Sequence, residues 1–254
     1  MPETARIRAA IITQDDRFAV PALLEEFLAR RADRIAAVFI AVDPLAEGLP
    51  ATVRRWAGVF DPLTFLRYGL RYVHAKLMGV RPARVAARFG VPVEAVADVN
   101  APEFLDHLRA LGVDLVISVA CPQIFRRELL GLPPLGCINV HSGPLPRYRG
   151  MLPTFWVLYH HEPATAVTVH RMNARLDDGP IILQETVPIA AGETQAGLMQ
   201  RCKLVGGRLL ADAVELFEAG EVPELPNPRV QATYFSFPTP EEARRFRAEG
   251  GRWL

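Results

Sequence analysis

The chain has 254 residues, half of them apolar, and 29 Lys and Arg residues against 28 Asp and Glu residues give it a formal net charge of +1. This size and apolar content suffice for a full hydrophobic core, while the near-neutral charge argues against a nucleic-acid-binding surface over the whole protein. The three cysteines lack metal-ligand spacing, so we expect no metal site. No apolar stretch is long enough to cross a membrane, and the N-terminus lacks the long apolar region of a signal peptide. We therefore expect a cytoplasmic protein without a membrane partner.

The N-terminal residues predict the start of a parallel sheet. Residues 6–13 are an apolar run typical of a buried strand, a helical pattern follows through residues 22–28, and residues 34–42 form a second apolar run. Strand, helix and strand in this order favour an α/β sheet. The turn Gln14-Asp15-Asp16 after the first strand holds no glycine, so it lacks the phosphate-binding loop of dinucleotide-binding and P-loop proteins.

A basic and aromatic insertion interrupts this pattern at about residues 45–90. Between residues 54 and 90, eight Arg and Lys residues accompany a single acid, Asp61. Residues 65–78 have helical spacing, with one apolar and one cationic side. Three interpretations stay open: a solvated face on a helical insertion, a grip on an anionic acceptor, and contact with a membrane surface or a nucleic acid.

The sheet pattern resumes after the insertion. Residues 91–99 lead back into the sheet, a helix begins at about residue 101, and residues 114–120 form an apolar run typical of a strand buried on both faces. Cys121-Pro122 ends that strand.

The stretch 137–150 carries the strongest functional signal. Asn139 and His141 alternate with apolar residues, so a strand would place both polar side chains on one face. Ser142-Gly143-Pro144 supplies turn residues that end the strand. Because chemistry collects at the carboxyl ends of strands in α/β sheets, we expect Asn139 and His141 to act together.

An amide beside an imidazole suits acyl transfer. Asn139 can donate a hydrogen bond to a developing oxyanion, a contribution of about 3 kcal/mol when such a donor is well placed. His141, with an ordinary pKa of about 6.5, can exchange a proton with an amine. A carboxylate that orients the imidazole is available in Asp177 or Asp178, which precede a turn and a further apolar strand.

These residues resemble the formyltransferase family that uses 10-formyltetrahydrofolate. The resemblance covers roughly residues 85–215 and is carried by the motifs Asn139-x-His141, Leu145-Pro146-x-Tyr148-Arg149-Gly150 and Leu176-Asp177-x-Gly179-Pro180-Ile181. It implies a catalytic set of Asn139, His141 and Asp177, with Asp177 preferred to Asp178 because the family's carboxylate directly follows a leucine. It also implies a cis peptide between Leu145 and Pro146.

The resemblance further implies a folate site. In this family the backbone just past the strand that corresponds to residues 114–120 receives the pteridine ring, so the candidate cofactor-binding residues are Ser118, Val119, Ala120 and Cys121, together with Arg175 at the start of the Asp177 motif. Glycinamide ribonucleotide formyltransferases carry a Gly-Ser-Asn turn after the first strand. The present chain departs from that pattern, and we expect no phosphoribosyl substrate there.

The rest of the chain completes a Rossmann-like, mostly parallel twisted sheet with helices on both faces. We predict a helix at 151–161, strands at 165–172 and 180–189, and a helix at 195–219 that closes a catalytic domain, residues 1–219. Residues 220–254 are predicted to be a short C-terminal extension. We expect His160 and His161 to satisfy helix-end carbonyls, and His74, His107 and His170 to be surface or packing residues.

The predicted function is transfer of a formyl group from 10-formyltetrahydrofolate to the primary amine of a small, anionic acceptor. Methionyl-tRNA formyltransferases add a C-terminal β-barrel domain, for which the last thirty-odd residues are too few, so an amino-sugar nucleotide is preferred. Three alternatives stay open: a methionyl-tRNA formyltransferase without the barrel, a formyltetrahydrofolate hydrolase, and a folate-binding module without catalysis. We expect no nucleic-acid partner, and a homodimer stays open.

Overall fold

The computed structural model describes residues 6–43 and 49–254. The first residues of the predicted insertion, 45–48, lie outside these ranges. In the first half of the chain the elements are β1 (Ala9–Thr13), α1 (Val20–Arg31), β2 (Ile35–Ala41), α2 (Leu49–Val59), α3 (Pro62–Leu77), α4 (Pro82–Arg88), β3 (Val93–Val96), α5 (Pro102–Ala110) and β4 (Leu115–Val119). The second half contains α6 (Arg127–Leu130), β5 (Cys137–His141), β6 (Arg149–Gly150), α7 (Pro153–Tyr159), β7 (Ala164–Arg171), β8 (Ile181–Pro188), α8 (Gln195–Ala219), β9 (Tyr234–Phe235) and α9 (Pro240–Ala248).

Seven strands form one sheet in the order β3-β2-β1-β4-β5-β7-β8. The strands from β3 to β5 are parallel, β7 runs antiparallel to β5, and β8 runs antiparallel to β7. Every residue of β1 and β4 is buried, as expected for central strands covered on both faces. The prediction of a mostly parallel, Rossmann-like α/β sheet is therefore confirmed.

Two hydrophobic clusters cover the two faces of the sheet. One contains Ile138 and Val140 of β5 together with side chains of α1 and α8. The other contains Cys137 together with side chains of α5. Because successive strand residues point to opposite faces, Asn139 and His141 lie on the same face as Cys137.

The long helix α8 lies close to β5. A Cβ atom at Gly206 would lie 3.1 Å from Cγ2 of Val140, so the glycine allows the helix axis to approach the strand. Among the helices within residues 6–43 and 49–254, none combines the length and the apolar run needed to cross a membrane.

The helices α2, α3 and α4 make up most of the insertion, and Asp61 caps α3. The side chain of Asp61 accepts hydrogen bonds from the amides of Leu63 and Thr64 at the start of α3. Inward-facing rings then attach the helix to the core, since Tyr68 stacks on Phe60 with 4.6 Å between ring centroids.

Residues 220–254 fold back onto the core. Strand β9 pairs in parallel with β6, which lies in the motif loop after β5. The buried ring of Trp253 stacks on Phe155 of α7 with 4.9 Å between centroids. The extension therefore shares the hydrophobic core and contacts the loop that follows His141.

Candidate active site

Asn139 and His141 lie on one face of β5, close to its carboxyl end. The imidazole of His141 is almost buried, with 7% of the residue exposed. Its Nε2 lies 2.8 Å from the backbone oxygen of Tyr148. A carbonyl oxygen can only accept, so this hydrogen-bond partner assigns a proton to Nε2 and leaves Nδ1 facing the other way.

Asp177 faces that second nitrogen. Its Oδ2 lies 3.7 Å from Nδ1 of His141 and accepts a 2.8 Å hydrogen bond from the backbone amide of Gly150. Asp177 has φ of +52° and reaches this position because the loop after β7 folds back over the sheet. The structure thus brings the three predicted catalytic residues together, and their catalytic role stays a prediction.

His170 is a fourth member of the cluster, which the sequence analysis placed among surface or packing residues. It is the cross-strand neighbour of Asn139 on β7 and is 2% exposed. Its Nε2 lies 3.2 Å from Nδ2 of Asn139 and 3.5 Å from Oδ1 of Asp177, while its Nδ1 donates to the backbone oxygen of Arg171 at 2.8 Å. His170 therefore connects the amide and the carboxylate of the site.

The buried side chains of His141 and Asp177 influence each other's pKa. Burial lowers the pKa of His141, and the neighbouring Asp177 carboxylate offsets only part of this effect. Burial alone would raise the pKa of Asp177, but the charge of His141, the nearby imidazole of His170 and the hydrogen bond from the Gly150 amide outweigh it and hold that pKa well below its usual range. At neutral pH the site therefore pairs an ionised carboxylate with an imidazole that can accept a proton.

The turn after β5 is packed against the imidazole. A Cβ atom at Gly143 would lie 2.8 Å from Nε2 of His141, closer than a non-bonded contact allows, so this position requires glycine. Thr168, the cross-strand neighbour of His141, donates to the Gly143 oxygen at 2.8 Å. The expected cis peptide between Leu145 and Pro146 is confirmed.

Asp178 and Arg149 form a buried ion pair beside the cluster of Asn139, His141, His170 and Asp177. Nη1 of Arg149 donates to Asp178 at 2.5 Å, and Arg229 from the C-terminal extension donates to the same carboxylate at 2.7 Å. Asn227 donates to the backbone oxygens of Asp177 and Gly179 at 3.0 and 2.9 Å. The extension therefore holds the Asp177 loop in place, and Arg149 supports this loop.

Replacing Asp178 with asparagine is expected to reduce stability at neutral pH. The hydrogen bonds from Arg229 and then Arg149 hold the pKa of Asp178 at about 2, below the value of about 3.9 in an unfolded chain. This lowered pKa stabilises the fold above about pH 4, by about 2–3 kcal/mol, and the contribution disappears as the pH falls toward 2.

Urea unfolding of both proteins at pH 7 and at pH 3 measures this contribution. The difference in unfolding free energy between wild type and Asp178→Asn is expected to shrink at pH 3. The exposed carboxylate of Asp212 offers a matched control, because Asp212→Asn removes the same charge without breaking a buried pair. Equal stability of wild type and Asp178→Asn at pH 7 would contradict the assignment.

The candidate folate residues on β4 lie beside β5. Ser118 is buried and is the register partner of Asn139, so the residues after it reach the same edge as His141. Ala120 has φ of +50°, which turns the chain away from the sheet. Burial raises the pKa of the Cys121 thiol to about 11, so this thiol stays protonated and is a poor nucleophile at neutral pH.

Arg175 lies apart from these strand-end residues. It is exposed on the Asp177 loop, where its backbone amide donates to Asn173. Its role as a folate ligand stays a prediction. Within the described ranges, no cluster of three or more His, Cys, Asp or Glu side chains is arranged to hold a metal ion.

Together, the fold and the cluster define a class of protein: an α/β enzyme-like domain with an amide donor, an imidazole and a carboxylate at the end of a central strand. Residues 79–214, more than half of the chain, match the family model described as formyl transferase. The chain belongs to the formyl transferase family, which confirms the resemblance seen in its motifs.

Curated relatives are methionyl-tRNA formyltransferases. The chain is 40% identical over 167 residues to the enzyme of Moorella thermoacetica, which covers 66% of this chain and 54% of that protein. It is also 40% identical over 138 residues to that of Trichlorobacter lovleyi, covering 54% and 44%. The chain thus spans about half the length of the curated relatives it matches.

Solved structures share the fold at lower sequence identity. Glycinamide ribonucleotide transformylase 1 from Symbiobacterium toebii is 24% identical with a TM-score of 0.62, covering 87% of this chain and 94% of that one. A sugar N-formyltransferase from a Shewanella species is 20% identical with a TM-score of 0.59, covering 91% and 77%. These similarities support the fold of the chain.

Proposed function

We propose that this protein is an N-formyltransferase that moves the formyl group of 10-formyltetrahydrofolate to the primary amine of a small-molecule acceptor. The observation that carries the proposal is the joined cluster of Asn139, His141 and Asp177 in a chain of the formyl transferase family. This donor set fits a reaction in which an amine attacks a carbonyl carbon and a nitrogen leaves.

Asn139 supplies the oxyanion contact in this proposal. Attack of the amine on the formyl carbon moves the carbonyl electron pair onto oxygen and gives a tetrahedral intermediate. One N–H of the Asn139 amide is engaged with His170, and the second N–H can donate to that oxygen. His170 thereby limits rotation of the amide before the substrate arrives.

His141 moves the proton. It takes the proton from the attacking amine and delivers it to N10 of the folate as the bond between N10 and the formyl carbon breaks. Nε2 points away from Asp177, so it is the nitrogen that reacts: it gives up its hydrogen bond to the Tyr148 carbonyl and forms one with the substrate. Before the transfer, the ring proton shifts from Nε2 to Nδ1, so that Nε2 can accept the amine proton and the Asp177 carboxylate beside Nδ1 stabilises the resulting imidazolium.

The turn after β1 affects which acceptor the protein can bind. The side-chain oxygen of Asp16 accepts hydrogen bonds from the amides of Phe18 and Ala19 at 2.8 and 2.6 Å, and from Val20 at 3.2 Å. These amides at the start of α1 would otherwise suit a phosphate. A carboxylate already occupies the position, which supports the expectation that no phosphoribosyl group binds there.

An amino-sugar nucleotide remains the preferred acceptor. A structurally similar N-formyltransferase from Helicobacter canadensis was solved in complex with folinic acid and dTDP-3-aminofucose, with a TM-score of 0.60 and 16% identity. In the present protein residues 220–254 pack on the loop that carries Asp177. Asn227 donates a hydrogen bond to the backbone oxygen of Asp177, and Arg229 donates one to the carboxylate of Asp178. Methionyl-tRNA is the second candidate acceptor, because the curated relatives are named methionyl-tRNA formyltransferases.

Mixing the purified protein with 10-formyltetrahydrofolate and a panel of amines is the direct test. The panel contains amino-sugar nucleotides, amino acids and methionyl-tRNA, and tetrahydrofolate formation is followed spectrally. We expect product with an amino-sugar nucleotide and none without an amine. Equal product formation without any amine would instead identify a hydrolase, and binding of the folate with no turnover would identify a binding module.

A further inference from the structure

Helix α3 exposes a continuous apolar stripe. Its members recur at intervals of three and four residues, so they lie on one side of the helix, and each is 53–81% exposed: Leu63, Leu66, Leu70, Val73 and Leu77. Met78, just past the helix, is 60% exposed and extends the same surface. Such a row of large side chains is uncommon on a monomer's surface.

The opposite side of α3 is already used for packing. Ala75 is buried, and the ring of Tyr68 stacks on Phe60 and contacts the edge of Phe18 at 6.0 Å. The stripe is therefore a second apolar face that the fold does not need for its own core. This helix is apolar on two opposite sides.

Cations border the exposed stripe. Arg67, Arg71 and Lys76 are exposed on α3, and none of them forms an ion pair with any residue in the described ranges. Residues 62–93 contain six Arg and Lys residues and no Asp or Glu, although the chain as a whole is nearly neutral. The arrangement, an apolar stripe with long cationic side chains at its borders, is that of a helix that lies flat on an anionic lipid surface.

We propose that α3 docks this protein on an anionic membrane surface, with the stripe inserted at the level of the headgroups and Arg67, Arg71 and Lys76 paired with lipid phosphates. This inference goes beyond the proposed function and does not depend on it. It selects the membrane surface among the three interpretations of the insertion and reverses the general expectation of no membrane partner, since the exposed stripe could not be recognised before the packing of α3 was known.

Charge complementarity favours a lipid surface over a second copy of the chain. The three- and four-residue spacing of the stripe would suit pairing of two helices, but α3 of each copy would bring Arg67, Arg71 and Lys76, and no acidic residue, to the contact. Like charges at such positions oppose pairing, whereas an anionic bilayer neutralises them.

The docked helix lies near the catalytic end of the sheet. Tyr68 and Tyr72 contact Phe18, which lies in the segment between the carboxyl end of β1 at Thr13 and the start of α1. That end of the parallel strands is also where His141 lies. Docking through α3 would hold the catalytic end of the sheet close to the lipid headgroups.

Co-sedimentation of the full chain with lipid vesicles tests the proposal. We expect binding to vesicles of phosphatidylglycerol and phosphatidylcholine, weaker binding to phosphatidylcholine alone, and a loss of binding as salt is raised. The double variant Leu70→Glu with Leu77→Glu should lower the partition coefficient about tenfold or more. Arg67→Gln and Arg71→Gln should each lower it about fivefold.

Ile124→Glu is the matched control, because Ile124 is 78% exposed but lies outside the insertion, and it should bind like wild type. Thermal melts establish that the charged variants remain folded. The proposal is overturned if the wild type does not bind anionic vesicles or if the double variant binds equally well. It is also overturned if sedimentation velocity without lipid shows a wild-type dimer that the double variant splits, since the stripe would then belong to a second copy.

Discussion

Replacing His141 with alanine is expected to reduce turnover about 10²–10⁴-fold, the range that loss of a general acid–base group produces. Asp177→Asn should cause a loss of similar size, because the isosteric amide keeps the position but removes the charge that stabilises a protonated His141. The measurement is the rate of tetrahydrofolate formation at saturating amine and folate. Circular dichroism and urea unfolding then separate a loss of chemistry from a loss of fold.

The pH profile gives a signature that a purely structural role would not give. The Asp177 carboxylate opposes the fall in the pKa of His141 that burial causes, so its removal should lower that pKa further. If the neutral imidazole is the active form in the free enzyme, the acid limb of kcat/KM should move to lower pH in Asp177→Asn.

An exposed histidine provides the control for these variants. His107 is paired with Glu94 at the surface, away from the cluster, and His107→Ala should retain wild-type turnover. Wild-type turnover in His141→Ala or in Asp177→Asn at saturating substrate would refute the catalytic assignment.

The parts of the site that depend on local pattern could be predicted from the sequence. Alternation alone places Asn139 and His141 on one face of a strand, and the turn residues after them place the strand's end. The motif after β7 identified Asp177, and the structure brings it within 3.7 Å of His141. These inferences needed only neighbouring residues and a family pattern.

The contribution of His170 could not be predicted in the same way. It reaches Asn139 because β7 runs antiparallel to β5 with Asn139 opposite His170, and a register shift of one residue would turn it to the other face. Alternation of Thr168 and His170 with apolar residues was a signal of a polar face on β7. Only the pairing of the two strands shows that this face belongs to the site.

Long-range contacts also explain why the C-terminal residues were underestimated. Their sequence predicted a short extension, in which the structure forms β9 and α9. Their partners, however, are 48 to 51 positions earlier in the chain for Asn227 with Gly179 and for Arg229 with Asp178. No local pattern could indicate that this segment holds the loop that carries Asp177.

Gly179 offers a test of how strictly that loop must be placed. A Cβ atom at this position would lie 1.9 Å from the backbone oxygen of Arg171 and 2.8 Å from its carbonyl carbon. These atoms belong to β7 and cannot move without disturbing the sheet, so Gly179→Ala must displace the loop that carries Asp177 two residues earlier. A displacement of about 1 Å in a catalytic group can cost about 10²-fold in rate.

Gly179→Ala is therefore expected to lower turnover about 10²-fold and to lower the free energy of unfolding by about 1–3 kcal/mol, the usual cost of overpacking. Gly69→Ala is the matched control: a Cβ atom on Gly69, within α3, would meet no heavy atom within 4 Å. Because alanine favours the helical backbone by about 1 kcal/mol, this variant should keep its turnover and become slightly more stable. Wild-type turnover in Gly179→Ala would mean that the reaction tolerates a displaced carboxylate. In that case Asp177 would act through its charge at longer range, and the hydrogen bond to Gly150 would not be needed to place it.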